Sequence, residues 1–247
     1  MKLLLARHGQ SLWNEVRKFQ GTTDVALSML GRRQAKALGR AIRGRRLAAA
    51  YVSPMRRALD TAAIALEGTE VPIVAVDELR ELSLGEWEGY TVDEIRGRDG
   101  DPYVRWVRAP LDCPPPGAEA LPDVCERVVR AIDRIAAAHP NGDDVLIVAH
   151  GGVISVYACH LLGCSFNTLW RLRVDNASLT TVAPPRIVTL NDTAHLDYFM
   201  GGPEMAPQTP QRSGRPGGAG APLEKLRAVA NRNWPGDRAA TRDGPTA

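Results

Sequence analysis

Two apolar runs in this chain stop at the same dipeptide. Leu3-Leu4-Leu5-Ala6-Arg7 leads into His8-Gly9, and Val145-Leu146-Ile147-Val148-Ala149 leads into His150-Gly151-Gly152. A short apolar run closed by glycine reads as a buried strand, and the segment from Val153 to Leu162 that follows the second run reads as a helix. Strands alternating with helices define an α/β sheet, and in open sheets of that kind ligands collect beyond the carboxyl ends of the strands. A single histidine at a strand end is commonly a packed residue. Two of them, expected on one crevice, constrain the chain far more than either does alone.

The remaining periodicity agrees. Further strands are expected at about 49–53 and 73–76 and in the region from Thr180 to Leu190. Ser28 is placed to cap a helix running to about Gly44, with Gly31 where a full capping box would carry an acidic residue. Leu121, Val124, Val128, Ile132 and Ile135 form a stripe at helical spacing, which leaves Glu126, Arg127, Arg130, Asp133 and Arg134 as a solvated face. His139 ends that helix before a turn and reads as a surface residue. The expected fold is therefore a three-layer αβα arrangement with a central, mostly parallel sheet flanked by helices.

Composition separates a catalytic domain, residues 1–200, from a C-terminal tail, residues 201–247. The tail has 7 Pro and 8 Gly and is expected to be disordered or loosely docked. Residues 1–200 carry 24 positive and 24 negative side chains, so the whole net charge of +3 belongs to the tail and gives no reason to expect nucleic acid as a partner. No apolar run reaches membrane-spanning length, so no membrane partner is expected. Met1-Lys2 leads directly into the first strand without a signal-peptide pattern, and Cys113, Cys125, Cys159 and Cys164 form no framework; both point to a cytoplasmic protein. The five histidines show no metal-ligand spacing, so neither metal nor other cofactor is expected.

The succession Arg7-His8-Gly9 places a reactive imidazole beside a fixed positive charge and a flexible glycine, a combination suited to phosphate. Between the two histidine motifs lie Tyr51-Val52-Ser53-Pro54-Met55-Arg56-Arg57 and Leu79-Arg80-Glu81-Leu82-Ser83-Leu84-Gly85-Glu86-Trp87-Glu88-Gly89. With these four segments in this order, the chain resembles the histidine phosphatase superfamily, in its phosphoglycerate mutase-like branch, over roughly residues 1–195. The resemblance implies that His8 is the phosphorylated nucleophile, that Arg7 and Arg57 clamp phosphate, that Glu81 donates the proton and that His150 is the second histidine of the pocket. It further implies phosphate or substrate contacts for Ser11, Asn14, Gln20, Gly21 and Gly151.

Chemistry independently favours such roles. Neutral imidazole suits attack on an anionic phosphomonoester, and flanking arginines both hold the oxygens and disfavour protonation of the nucleophile. An alkoxide leaving group needs a proton donor, a task for which Glu81, Glu86 and Glu88 all compete on residue type. Only the family register selects Glu81. The short segment from Tyr90 to Pro116 resembles the broad phosphatase branch of the family rather than its glycolytic mutases, and that resemblance implies hydrolysis of a small phosphorylated metabolite. A 2,3-bisphosphoglycerate-dependent mutase and a catalytically silent phosphate-binding or interaction protein remain as alternatives, and a homodimer as a candidate assembly. Arg96, Arg98, Arg105, Arg108, Arg171 and Arg173 are candidates for a second anionic subsite, and Trp13, Trp106 and Trp170 for an apolar wall.

Overall fold

The computed structural model describes residues 1–98, 100–140 and 142–199, of whose last few residues only the backbone is described. The tail at 201–247 lies outside the described residues. The strands are β1 Leu3–Arg7, β2 Leu47–Val52, β3 Ile73–Ala75, β4 Asp144–Ala149, β5 Leu179–Ala183 and β6 Arg186–Asp192. The helices are α1 Leu12–Glu15, α2 Met29–Ile42, α3 Arg56–Ala65, α4 Val92–Arg96, α5 Pro102–Arg108, α6 Leu121–Ala137 and α7 Gly151–Leu162. One sheet in the order β3-β2-β4-β1-β5-β6 contains all of these strands. The pairs β2/β3, β2/β4 and β1/β4 are parallel, whereas β1/β5 and β5/β6 are antiparallel.

The three layers follow from the period-two alternation of strand side chains. Leu3 and Leu5 of β1, with Val145, Ile147 and Ala149 of β4, bury one face of the sheet against α6 and α7. Leu4 and Ala6, with Leu146 and Val148, bury the other face against α2 and α3. Because both faces are covered, residues 3–6 of β1 and 145–149 of β4 are apolar at every position, which is why they read as continuous hydrophobic runs. The chain leaves β1 toward the α2 face and leaves β4 toward the α7 face, although the two strands are neighbours. A crevice therefore opens at their carboxyl ends.

The region from Thr180 to Leu190 is not one strand but the hairpin β5–β6, broken at Pro184-Pro185. Proline has no N–H to give to a ladder, so two in succession end the strand and place the turn. The helix at Ser28 forms as expected, with the Ser28 hydroxyl accepting from the Gly31 N–H at 3.1 Å. Gly31 is needed for a second reason. A Cβ there would overlap the carbonyl oxygen of Gln10, so only glycine lets α2 approach the turn that follows His8.

Two surface expectations are corrected. His139 is half-buried, with its Nε2 2.9 Å from the Tyr51 hydroxyl. Arg127 is only 7% exposed. It lies three residues after Val124 and four before Ala131, so it belongs to the buried stripe of α6 rather than to the solvated face.

Candidate active site

Arg7 pairs in register with Ala149, so His8 and His150 each stand one residue beyond the end of a parallel pair. The His8 N–H donates to the Ala149 carbonyl at 3.0 Å, and the ring centroids lie 5.1 Å apart. The crevice expected from two strand-end histidines is thus formed, with His8 2% and His150 0% exposed. His8 Nδ1 sits 2.7 Å from the carbonyl of Gly9. A carbonyl can only accept, so Nδ1 carries the proton and Nε2 of the neutral ring holds the lone pair. Burial, then the charges of Arg57 and Arg7, hold the His8 pKa well below its ordinary value. The ring is neutral near pH 7.

His150 is held from behind by Ser53, whose hydroxyl lies 2.7 Å from Nε2. Its Nδ1 is buried and has no hydrogen-bond partner among the described residues. Burial, followed by Arg57, His8 and Arg7, likewise lowers its pKa.

The two arginines come from opposite sides of the crevice. Arg7 ends β1 and donates from Nη1 to the Val174 carbonyl at 2.7 Å. Arg57 enters from the first turn of α3 and donates from Nη1 to Thr23 O and from Nη2 to Gly21 O, both at 2.8 Å. Each guanidinium is therefore fixed by backbone while its Nε remains buried and unpartnered among the described residues. Burial brings the Arg57 pKa down to about 10, which leaves it charged at neutral pH. Two fixed cations with unsatisfied donors in a histidine-lined crevice form an anion site, and the amino end of α7 begins beside them.

Glu81 faces this site across the same cavity. Its carboxylate accepts from the N–H of Leu82 at 3.0 Å and of Gly152 at 3.2 Å. The side chain borders the cavity and so is only half-buried by area, but protein surrounds it closely enough for desolvation to dominate. Burial raises its pKa, against the opposing pull of Arg57 and the two backbone donors. Gly152 permits this closeness, because a Cβ there would overlap Leu82 and come within 2.6 Å of Glu81 Oε1. Gly152→Ala is expected to lower kcat by about 10- to 100-fold through displacement of the carboxylate, and stability by about 1–3 kcal/mol through overpacking. Steady-state kinetics and a thermal melt check both.

The competing carboxylates are placed elsewhere. Glu86 is exposed. Glu88 accepts from the N–H groups of Thr22, Thr23 and Leu84 and from the Thr23 hydroxyl. Burial would raise its pKa, but these donors outweigh it and hold Glu88 below its ordinary value. Glu88 thereby secures the 21–23 loop, whose carbonyls in turn hold Arg57.

The cavity has a volume of about 140 Å³. That is below the roughly 300–1,000 Å³ of clefts for drug-sized ligands, and it matches a small metabolite. Arg7, His8, Asn14, Gln20, Gly21, Arg57, Glu81 and Gly151 line it. His150 lies behind the His8 ring, and Ser11 is wholly buried outside the lining. The Ser11 hydroxyl accepts from the Asn14 N–H at 3.0 Å, capping α1, and donates to Gln20 Oε1 at 2.7 Å. It positions the two residues that do reach the cavity.

Of the arginines considered for a second subsite, only Arg173 lines the cavity, and it is paired with the buried Asp175 at 2.7 Å. Arg17 and Lys18, missed in the sequence, also line it. Neither has an ion-pair partner among the described residues. Trp106 and Trp170, 4.6 Å apart, form an aromatic wall with Tyr103, while Trp13 instead packs under the Lys18 ammonium. Asn176, also missed, donates to the His8 carbonyl at 3.1 Å. Among the described residues no cluster of three or more His, Cys, Asp or Glu side chains is arranged to hold a metal ion, and no helix is long and apolar enough to cross a membrane.

An αβα fold with two buried histidines, two fixed arginines and a carboxyl group at one strand-end crevice defines a phosphate-handling α/β protein. The family model described as histidine phosphatase superfamily (branch 1) matches residues 3–190, and the chain belongs to that family. It is 32% identical over 203 residues to phosphoserine phosphatase 1 of Hydrogenobacter thermophilus, covering 81% of this chain and 96% of the relative. Among solved structures it is similar to Bacillus stearothermophilus YhfR, with 35% identity, a TM-score of 0.74, and coverage of 79% of this chain and 98% of the other. A mycobacterial glucosyl-3-phosphoglycerate phosphatase solved with VO3 gives 30% identity, a TM-score of 0.72, and coverage of 78% and 99%. The chain is a histidine phosphatase, in the class of phosphoric monoester hydrolases.

Proposed function

We propose that this chain hydrolyses small phosphorylated metabolites through a phosphohistidine on His8. The observation that carries the reading is the neutral, buried His8, its Nε2 lone pair unprotonated, between two fixed arginines and across a cavity from a carboxyl group of raised pKa. In the first step Nε2 attacks phosphorus, the P–N bond forms, the ester P–O bond breaks, and the proton of Glu81 goes to the leaving oxygen. Arg7, Arg57, Asn14 and the amino end of α7 hold the non-bridging oxygens. In the second step Glu81, now a carboxylate, takes a proton from water as the water oxygen attacks phosphorus. The P–N bond breaks, its electrons return to His8 and inorganic phosphate leaves. One preorganised donor at such a site is worth about 3–4 kcal/mol of transition-state stabilisation, so the arginines supply much of the electrostatic work without a metal.

The cations Arg17 and Lys18, which border the cavity without an ion-pair partner among the described residues, support a substrate carrying a second anionic group, with the Tyr103, Trp106 and Trp170 wall against its carbon skeleton. Relatives named for phosphoserine and glucosyl-3-phosphoglycerate agree with a carboxylate in that place. The test is inorganic phosphate release, in chelator, from phosphoserine, phosphoglycerates, sugar monophosphates and p-nitrophenyl phosphate. Esters with a second anion should show kcat/KM about tenfold or more above neutral ones, as expected for one charge-assisted contact, and Arg17→Met should erase that advantage mainly through KM. Equal use of both ester types would remove the second-anion assignment. Phosphate exchange between hydroxyls that depends on 2,3-bisphosphoglycerate, without release, would make the chain a mutase.

A further inference from the structure

We propose that Arg127, held by Glu119, is a positioning residue that fixes the backbone from Glu78 to Glu81 and thereby aims the Glu81 carboxyl group at the leaving oxygen. The inference rests on the reading of Glu81 as the proton donor.

Among the described residues, Glu81 has no side-chain hydrogen-bond partner of its own to aim it. Its carboxylate is held by the N–H of the next residue, Leu82, and by that of Gly152. Where the carboxylate points therefore depends on the path of the backbone through residues 78–82. That path is a short 3-10 turn over Asp77–Leu79 followed by extended backbone at Arg80, a segment outside the sheet.

The guanidinium of Arg127 gathers this segment. It donates from Nη1 to the carbonyls of Glu78 at 2.6 Å and Arg80 at 2.8 Å, and from Nη2 to that of Glu81 at 3.4 Å. Nε and Nη2 reach Glu119 Oε1 at 2.7 Å and Oε2 at 2.9 Å. A guanidinium has five N–H donors in one plane, and five contacts account for them. Glu119 ties Ser83, two residues beyond Glu81, as well, its Oε2 accepting from Ser83 N at 3.4 Å and its own N–H donating to Ser83 O at 3.1 Å. Burial would raise the Glu119 pKa, but its bonds with Arg127 hold it below the ordinary value, so the pair stays charged.

A buried ion pair is a poor means of gaining stability, because desolvation cancels much of the attraction. An apolar side chain between Val124 and Val128 would fill the same stripe of α6. What the guanidinium supplies instead is direction: three carbonyls of one loop are held against a 17-residue helix that is anchored on the sheet. Proton transfer requires the donor within hydrogen-bond reach of the leaving oxygen, and displacement of about 1 Å costs on the order of 100-fold.

The experiment compares phosphoserine with p-nitrophenyl phosphate for Arg127→Met, Arg127→Lys and Glu119→Gln, with Glu81→Ala as the reference. An alkoxide needs the proton from Glu81, whereas p-nitrophenolate leaves as a stable anion and needs it far less. Arg127→Met is expected to lower kcat/KM for phosphoserine by about 10- to 100-fold and to leave that for p-nitrophenyl phosphate within a few-fold. Adding Arg127→Met to Glu81→Ala should cost little more, since both remove one function. Equal losses on both substrates, no loss on either, or full additivity with Glu81→Ala would overturn the proposal. If circular dichroism shows Arg127→Met to be unfolded, Arg127→Lys and Glu119→Gln decide, because both preserve most of the packing and must show the same asymmetry at smaller size. Absence of the asymmetry in Glu81→Ala itself would overturn the proton-donor reading, and this inference with it. Its presence there but in none of the Arg127 and Glu119 variants would overturn this inference alone.

Discussion

Replacing His8 with alanine is expected to reduce phosphate release by about 10⁴-fold or more, the scale on which removal of a catalytic nucleophile usually acts. Among the described residues that line the cavity, no other side chain offers an equivalent lone pair. His150 is wholly buried, lies behind His8 and is outside the cavity lining, and its Nε2 is engaged with Ser53. The carboxyl group of Glu81 would meet electrostatic repulsion from an anionic ester once ionised, and the arginines can bind phosphate but cannot accept it. Among the described residues the ring's one hydrogen bond is to the adjacent Gly9, so its loss leaves the sheet pairing through the His8 N–H intact. The variant should therefore fold and still bind phosphate. Brief reaction with labelled ester, quenched in alkali to preserve a P–N bond, should give labelled wild-type protein and unlabelled variant. Label retained by the variant would place the nucleophile elsewhere.

The second large effect belongs to Glu81. Glu81→Gln keeps the shape and the backbone contacts but cannot release a proton, so turnover of an alkyl phosphate should fall by about 10²- to 10⁴-fold, the usual contribution of general acid–base catalysis. The pH dependence carries the sign. The competent free enzyme has a proton on Glu81 and none on Nε2 of His8. Because burial and then the arginines depress the His8 pKa, His8 stays unprotonated to well below pH 6.5, and its protonation sets the acid limb of kcat/KM together with protonation of the ester. Because burial raises the Glu81 pKa above 4.5, the alkaline limb begins above the ordinary carboxylate range. In Glu81→Gln that limb should vanish, leaving a low and flat rate. A variant profile with the wild-type alkaline limb would assign the proton to another group. Slowed water attack should also let phosphoenzyme accumulate, which labelling under the same quench detects.

Each motif that carried the functional reading could be found along the chain because its chemistry is local. Arg7, His8 and Gly9 are covalent neighbours at a strand end, and the buried strands announce themselves by unbroken apolar runs. The Ser28 cap, the α6 stripe and the second histidine motif are likewise patterns of a few residues. Their convergence was also legible, since strand ends of an open sheet lie together. Other parts depend on contacts between segments distant in sequence, and no local pattern encodes those. Arg127 looks like one more surface arginine until its place between Val124 and Ala131 is read as the buried face; that spacing was the available signal. Its carbonyl partners, 46 to 49 residues away, carry no side-chain signature at all.

The carboxylate question shows the same division. Glu81, Glu86 and Glu88 are equivalent by composition and nearly adjacent, yet one faces the arginines, one faces solvent and one braces the loop that holds Arg57. Residue type does not separate them; the family register picks Glu81, and packing supplies the physical ground, because a shift of one or two residues in a non-repeating loop sends a side chain to a different neighbour. Arg17 and Lys18 likewise enter the cavity through a local backbone feature, the positive φ of 56° at Arg17, which is uncommon outside glycine. The sequence by itself determined the α/β class, the pairing of His8 with His150 and the phosphate chemistry, since these follow from adjacency and periodicity. The tertiary structure alone decided what braces Glu81, where Glu86 and Glu88 face instead and which cations border the rest of the cavity, since those depend on the meeting of remote, aperiodic segments.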